Sequence, residues 1–172
     1  MAIRDQATDF SYHVFERAVE RCLPVYAYDI ADGFRYDIGS VARLYEANIG
    51  VLRRELHAPI PGREERPGLW AGKATRWQGA AITPPVVLGD EVFLGPGSTV
   101  GPDVVVGDGC TVGGHVRIRE SVIMENCQIG SDSNIERSVV GPDCKIGMGQ
   151  RVPPYSVFGA YSALGGDRWP AW

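Results

Sequence analysis

The chain has 172 residues, 44% hydrophobic and 22% charged, proportions that exclude a disordered polymer and bound the fold to one ordinary domain or one domain plus part of a second. Its formal charge of −4, from 21 acidic and 17 basic residues without a lysine or arginine run, gives no support to a nucleic-acid or acidic-membrane surface. No stretch approaches the roughly 18 apolar residues of a membrane span, and MAIRDQATDF lacks the apolar core of a signal peptide, so a cytoplasmic location is expected.

Taken in chain order, the first predicted element is an amphipathic helix from Thr8 to Cys22, with Phe10, Val14, Phe15, Ala18, Val19 and Cys22 on one face and Thr8 or Asp9 as its cap. Pro24 ends it. Val25 to Ile30 reads as a strand that turns at Asp32-Gly33 into a second strand, Phe34 to Ile38. Ser40 then caps a second helix that turns Val41, Leu44, Tyr45, Ile49, Leu52 and Leu56 inward, with Arg43, Glu46, Arg53, Arg54 and Glu55 largely opposite. Residues 59–68, PIPGREERPG, have the proline, glycine and charge of a linker, which divides the chain into 1–58 and 69–172.

Beyond the linker the chain repeats every six residues. Ile82, Leu88, Leu94, Val100, Val106, Val112 and Ile118 keep unbroken spacing, and glycine follows five of them (Gly89, Gly95, Gly101, Gly107, Gly113). The spacing shortens once at MENCQ (124–128), resumes at Ile129 and Ile135, shortens again at GPDCK (141–145), and resumes at Ile146, Val152 and Phe158. A six-residue unit fits a short strand with one inward aliphatic residue and a small inward neighbour, followed by a turn at glycine or Asn/Asp. Three units close a triangular coil, and coils stack at about 4.8 Å with the backbone pairing of a parallel sheet. Cys110, Cys127 and Cys144 recur at one-coil spacing and are expected to stack as reduced, buried thiols in the small inward position.

These hexads resemble the left-handed parallel β-helix of the hexapeptide-repeat superfamily, from which the handedness is taken. The fold expected is therefore mainly β, a β-helix preceded by a small α/β segment. Upstream, DFSYHVF (9–15) and PVYAYDIADGFRYDIGSVARLYEAN (24–48), with Tyr36-Asp37-Ile38-Gly39-Ser40 and Tyr45-Glu46-Ala47-Asn48 as the marks, resemble the closing part of the catalytic domain of sugar-nucleotide pyrophosphorylases, in the style of mannose-1-phosphate guanylyltransferase. Residues 1–58 are then a C-terminal remnant of a nucleotidyltransferase-like domain, and 69–172 its β-helix.

The resemblance implies attack of a sugar-1-phosphate on the α-phosphate of a nucleoside triphosphate, with pyrophosphate leaving and Mg²⁺ held by two carboxylates. Asp37 matches one of them. The second carboxylate and the GxGTRL-like phosphate loop have no counterpart in this sequence, so no residue here is assigned as catalytic or nucleotide-binding, and no turnover is expected from the chain alone. Mg²⁺, nucleotide and sugar phosphate enter only with a catalytic N-terminal part, and the partner expected is a second copy or a separate catalytic chain. A truncated product, a separately encoded half and a regulatory or oligomerising module all fit. Asp37 fits equally a residue serving only the backbone of its own turn.

Two other classes compete. A β-helix acyltransferase would use a histidine as general base, and His115 is the array's single histidine, at an outward position. A zinc hydratase is not among them, since it needs about three histidines around one metal and His13 and His57 lie outside the array. A purely structural oligomerisation module would use the flat faces and ends, where Trp70, Trp77, Trp169 and Trp172 are expected to cap coil edges.

Overall fold

The computed structural model describes residues 9–29 and 35–165, which divide along the chain between Arg35 and Tyr36 into two compact units. In the first unit, Phe10–Phe15 form a π-helical turn that runs into the helix α1, Glu16–Glu20. Asp9 is the cap, its carboxylate accepting from the Tyr12 N–H at 3.0 Å. Thr8, the other cap considered, lies outside the described residues. Residues 25–29 and 35–39 are not strands, contrary to the two expected there; Ile30 to Phe34 lie outside the description. Alternating side chains alone do not make a strand, which needs a neighbour for its backbone groups, and no strand of the described residues pairs with these segments.

The second unit is a parallel β-helix. Its first sheet runs Arg63–Arg66, Leu69–Ala71, Val86–Leu88, Val104–Val106, Ser121–Ile123, Val139–Val140, Val157–Phe158. The second runs Phe93–Leu94, Thr111–Val112, Gln128–Ile129, Lys145–Ile146, Ala163–Leu164, and the third Ala81–Ile82, Thr99–Val100, Arg117–Arg119, Asn134–Glu136, Arg151–Val152. All pairings are parallel except the first, where Arg63–Arg66 lies antiparallel against Leu69–Ala71. This strand sits inside the segment expected to be a linker. It covers one edge of the first coil with four exposed charged residues, a means of closing a sheet edge to further pairing.

The aliphatic repeat is the core. Leu88, Leu94, Val100, Val106, Val112, Ile118, Ile129, Ile135, Ile146 and Val152 all point inward and are buried, with Ile82, Phe158 and Leu164 partly buried against them. The two shortened units fall one unit earlier than the sequence suggested. Ile123 pairs with Val106 and Val140 with Ile123, both fully buried, so the missing residues are at the corners after Ile118 and Ile135. Only burial distinguishes the two registers, because Ile123 and Val140 are followed by strings that look equally like short units.

Glycine acts differently from expectation. Of the five glycines that follow an aliphatic residue, Gly101 has the expected left-handed backbone (φ 102°), but Gly89, Gly95, Gly107 and Gly113 do not. That conformation falls two residues later, on Glu91, Gly97, Gly109 and His115, and likewise on Glu120, Asn126, Asp132, Arg137 and Asp143. The glycine directly after the aliphatic residue is needed for close approach: a Cβ on Gly95 would lie 2.5 Å from the Gly113 carbonyl carbon of the next coil. Coil stacking, more than turn geometry, selects it.

Gly95→Ala is therefore expected to lower stability by about 2 kcal/mol, within the range for forced backbone shifts. Glu91→Gly relieves a left-handed residue (φ 57°) at an exposed corner, offset by the entropy glycine loses, and is expected to leave stability within about 0.5 kcal/mol or raise it. Urea unfolding of both variants checks this; equal losses would refute the division of labour.

Candidate functional site

The second helix, α2 (Val41–Leu52), forms where expected, with the Ser40 hydroxyl accepting from the Arg43 N–H at 3.3 Å. It packs on the outside of the first sheet. Ile49 and Leu52, with Leu44 and Tyr45 beside them, cover an outward column of Trp70, Val87, Val105, Val122 and Val139, which occupy the same register on successive coils. Trp70 is thus buried under the helix rather than capping an edge; Trp77 packs against the inner core, and Trp169 and Trp172 lie outside the described residues. Val41, expected inward, is exposed.

A polar lock fixes this helix. Arg53, placed on the solvent side by its sequence pattern, donates through Nε and Nη2 to both carboxylate oxygens of Asp103 at 3.0 and 2.8 Å. That fork raises the guanidinium's proton affinity further. The Tyr45 hydroxyl donates to the Glu120 carbonyl at 3.1 Å, and the Glu120 carboxylate pairs with Arg119 at 3.1 Å and Arg137 at 2.7 Å. Burial first, then the Glu120 charge, push the Tyr45 phenol above its ordinary value. Arg54 lies over the Trp70 ring, 5.4 Å from its centroid.

Asp37 precedes this helix and is exposed. Its backbone carbonyl accepts from Arg43 Nη1 at 3.4 Å, and the neighbouring Tyr36 hydroxyl donates to Glu46 at 3.3 Å. No group of three or more His, Cys, Asp or Glu side chains among the described residues is arranged to hold a metal ion. A Mg²⁺ ion takes six oxygen ligands, of which Asp37 supplies at most one carboxylate.

His115 lies at the corner between the second and third sheets, away from the helix-bearing face. Its ring rests on Gly97, where a Cβ would come within 2.5 Å of Nδ1, and has no hydrogen bond among the described residues that would orient it as a base. It lines a groove of about 290 Å³ with Thr99, Arg117, Asp132, Asn134 and Arg151.

The cysteine column forms as expected. Each thiol donates to a corner carbonyl of the next coil: Cys110 to Met124 at 2.9 Å, Cys127 to Gly141 at 3.1 Å and Cys144 to Gly159 at 3.0 Å. Ser98 and Ser133 do the same to Gly113 and Gly147, both at 2.8 Å. The position thus accepts a small donor, although Val92, Val104 and Val116 fill it with an apolar side chain on other units. Cys127 is pushed up by its neighbour Cys110 and by burial, and Cys144 by burial. Cys22 is exposed.

Residues 81–166 match the family model described as the GMPPB C-terminal domain, half of the sequence. The chain belongs to this family. Among solved structures it is similar to serine acetyltransferase isoform 3 of Entamoeba histolytica in complex with cysteine (20% identity, TM-score 0.46), over 55% of this chain and 37% of that one. It is also similar to serine acetyltransferase 1 of the same organism in complex with L-cysteine (14% identity, TM-score 0.38), over 51% of this chain and 37% of that one. The chain thus spans little more than a third of each. A search of curated proteins gives no match. The GMPPB C-terminal domain takes in the cysteine column, His115 and its groove, whereas Asp37 and α2 precede the matched residues.

The helix-dock residues Arg53, Asp103, Tyr45 and Glu120 were not singled out as a unit by the sequence. One signal did exist: after Trp70 on the first coil, valine holds the outward position of one sheet on each later coil, where the other two sheets carry mostly Thr, Arg, Asn, Gln and Lys.

Two measurements check this site. Because folding raises the Tyr45 pKa, the folded state keeps that proton longer; the stability linked to it is complete below about pH 10 and falls as pH rises through the folded value. Tyr45→Phe should flatten the decline in urea stability above about pH 10. Iodoacetamide should label Cys22 alone in the native protein and all four cysteines in denaturant, and Cys127→Ser should retain native stability to within about 1 kcal/mol.

Proposed function

We propose that this chain serves as the C-terminal part of an NDP-sugar pyrophosphorylase of the mannose-1-phosphate guanylyltransferase type, in assembly or regulation, and does not turn over substrate by itself. The match to the GMPPB C-terminal domain carries the reading. The Tyr36–Ser40 motif, leading into a helix clamped on the β-helix by Arg53 and Asp103, supports it. In the complete reaction a mannose-1-phosphate oxygen attacks the α-phosphorus of GTP, the bond to the β-phosphate bridging oxygen breaks, and pyrophosphate leaves with GDP-mannose formed.

Phosphate cradling and the remaining Mg²⁺ donors belong, in this reading, to a catalytic N-terminal part, with Asp37 contributing at most one carboxylate. The partner is a second copy of this chain or a separate catalytic chain, in the cytoplasm. Phe10, Phe15, Val19 and Leu23, all exposed on the first unit, are apolar surface suited to such a contact.

The purified chain with GTP, mannose-1-phosphate and Mg²⁺ should release no pyrophosphate above the blank, and should sediment as an oligomer or bind a catalytic chain carrying the GxGTRL loop. Turnover by the chain alone would overturn the first part. A protein that stays monomeric and binds no such chain would overturn the second.

A further inference from the structure

The groove on the third sheet has a charge arrangement that the fold does not require. Thr99, Arg117, Asn134 and Arg151 occupy one register position on four successive coils, so their side chains leave the same face in a single file. Two guanidinium groups stand on alternate coils, with backbones about 9.6 Å apart by strand spacing, and a neutral amide between them. Elsewhere the chain neutralises arginine: Glu120 takes its neighbour Arg119 and, from the next coil, Arg137; Asp103 takes Arg53 at the end of α2; and Glu136 lies level with Arg119. The guanidinium groups of Arg117 and Arg151 have no ion pair or hydrogen bond among the described residues, although both residues line the same cavity of about 290 Å³.

We propose that this groove binds a diphosphate group, free or as part of a nucleoside diphosphate. Arg117 and Arg151 approach from the two ends and present planar forks that match phosphate oxygens, and the Asn134 amide donates from the middle. The strands of Arg117 and Asn134 are held by parallel ladders on both sides and that of Arg151 by one, against the Asn134 strand, so the donors are spaced before the ligand arrives. Asp132 is the one carboxylate lining the groove, at the His115 corner rather than in the arginine file. With it the lining still carries a net positive charge, and a ligand reaching both arginines is favoured over a single phosphate.

This assignment does not depend on the pyrophosphorylase reading, since it is decided by binding to the chain itself and not by turnover or assembly. Calorimetric titration of the full chain with sodium diphosphate, GDP and inorganic phosphate at fixed ionic strength tests it. Diphosphate and GDP should bind saturably and at least about tenfold more tightly than phosphate. Arg117→Gln and Arg151→Gln should each weaken binding by about tenfold or more, and Arg76→Gln, an exposed arginine level with the second sheet, should not. All three side chains are exposed, so the melting temperature should be preserved, which separates loss of binding from loss of fold. Equal affinity for diphosphate and GDP assigns the site to the diphosphate moiety; tighter GDP assigns it to a nucleotide. No saturable binding of either, equal binding of phosphate, or the same loss in Arg76→Gln would overturn the proposal.

Discussion

Everything in the second unit follows from how closely one coil lies on the next. Parallel ladders hold the strands at about 4.8 Å, and at the corners the backbone of one coil must pass that of its neighbour with no room for a side chain. Gly95 against Gly113, and Gly130 against Met148, show the constraint: an added Cβ would meet backbone at 2.5 Å in each case. Satisfying it aligns Leu94, Val112, Ile129 and Ile146 into an inward file and lets Ser98 or Cys127 reach a carbonyl one coil away. Core, corner and buried polar bonding are thus one geometric solution, repeated.

The outer surface divides by face, and that division organises what each face can do. On the first sheet the outward file is valine and tryptophan and is covered by α2. On the third it is Thr99, Arg117, Asn134 and Arg151 and lines an open groove. Helix attachment combines both modes of interaction. Apolar burial under Ile49 and Leu52 supplies area, while the fork from Arg53 to Asp103 sets the helix's position, because a bidentate pair tolerates little sliding.

Periodicity made the β-helix legible before any coordinates, since an aliphatic residue every six positions has few other meanings. The one-coil recurrence of Cys110, Cys127 and Cys144 placed them correctly on one face. What periodicity could not resolve was which corner lost a residue: Ile123 and Val140 declare themselves inward only through burial. The strands expected near Val25 and Phe34 illustrate a different limit. Alternation describes a single segment, whereas a strand is a relation between two. Arg53 was misplaced for a related reason, since a charged residue at a helix end reads as solvated until a buried carboxylate is found opposite it. The site itself was only partly visible. Asp37 was singled out from its motif alone, and its exposure and lack of companion donors among the described residues are facts of three-dimensional arrangement.

The valine file beneath α2 bears on how this protein can be cut. A fragment beginning at the first coil looks natural from the repeat alone, yet it would strip the helix from Trp70, Val87, Val105, Val122 and Val139 and leave a flat, water-facing apolar stripe across five coils. Such a surface invites sheet-to-sheet stacking between molecules. The smallest soluble piece is therefore set not by where the hexads start but by the helix that precedes them.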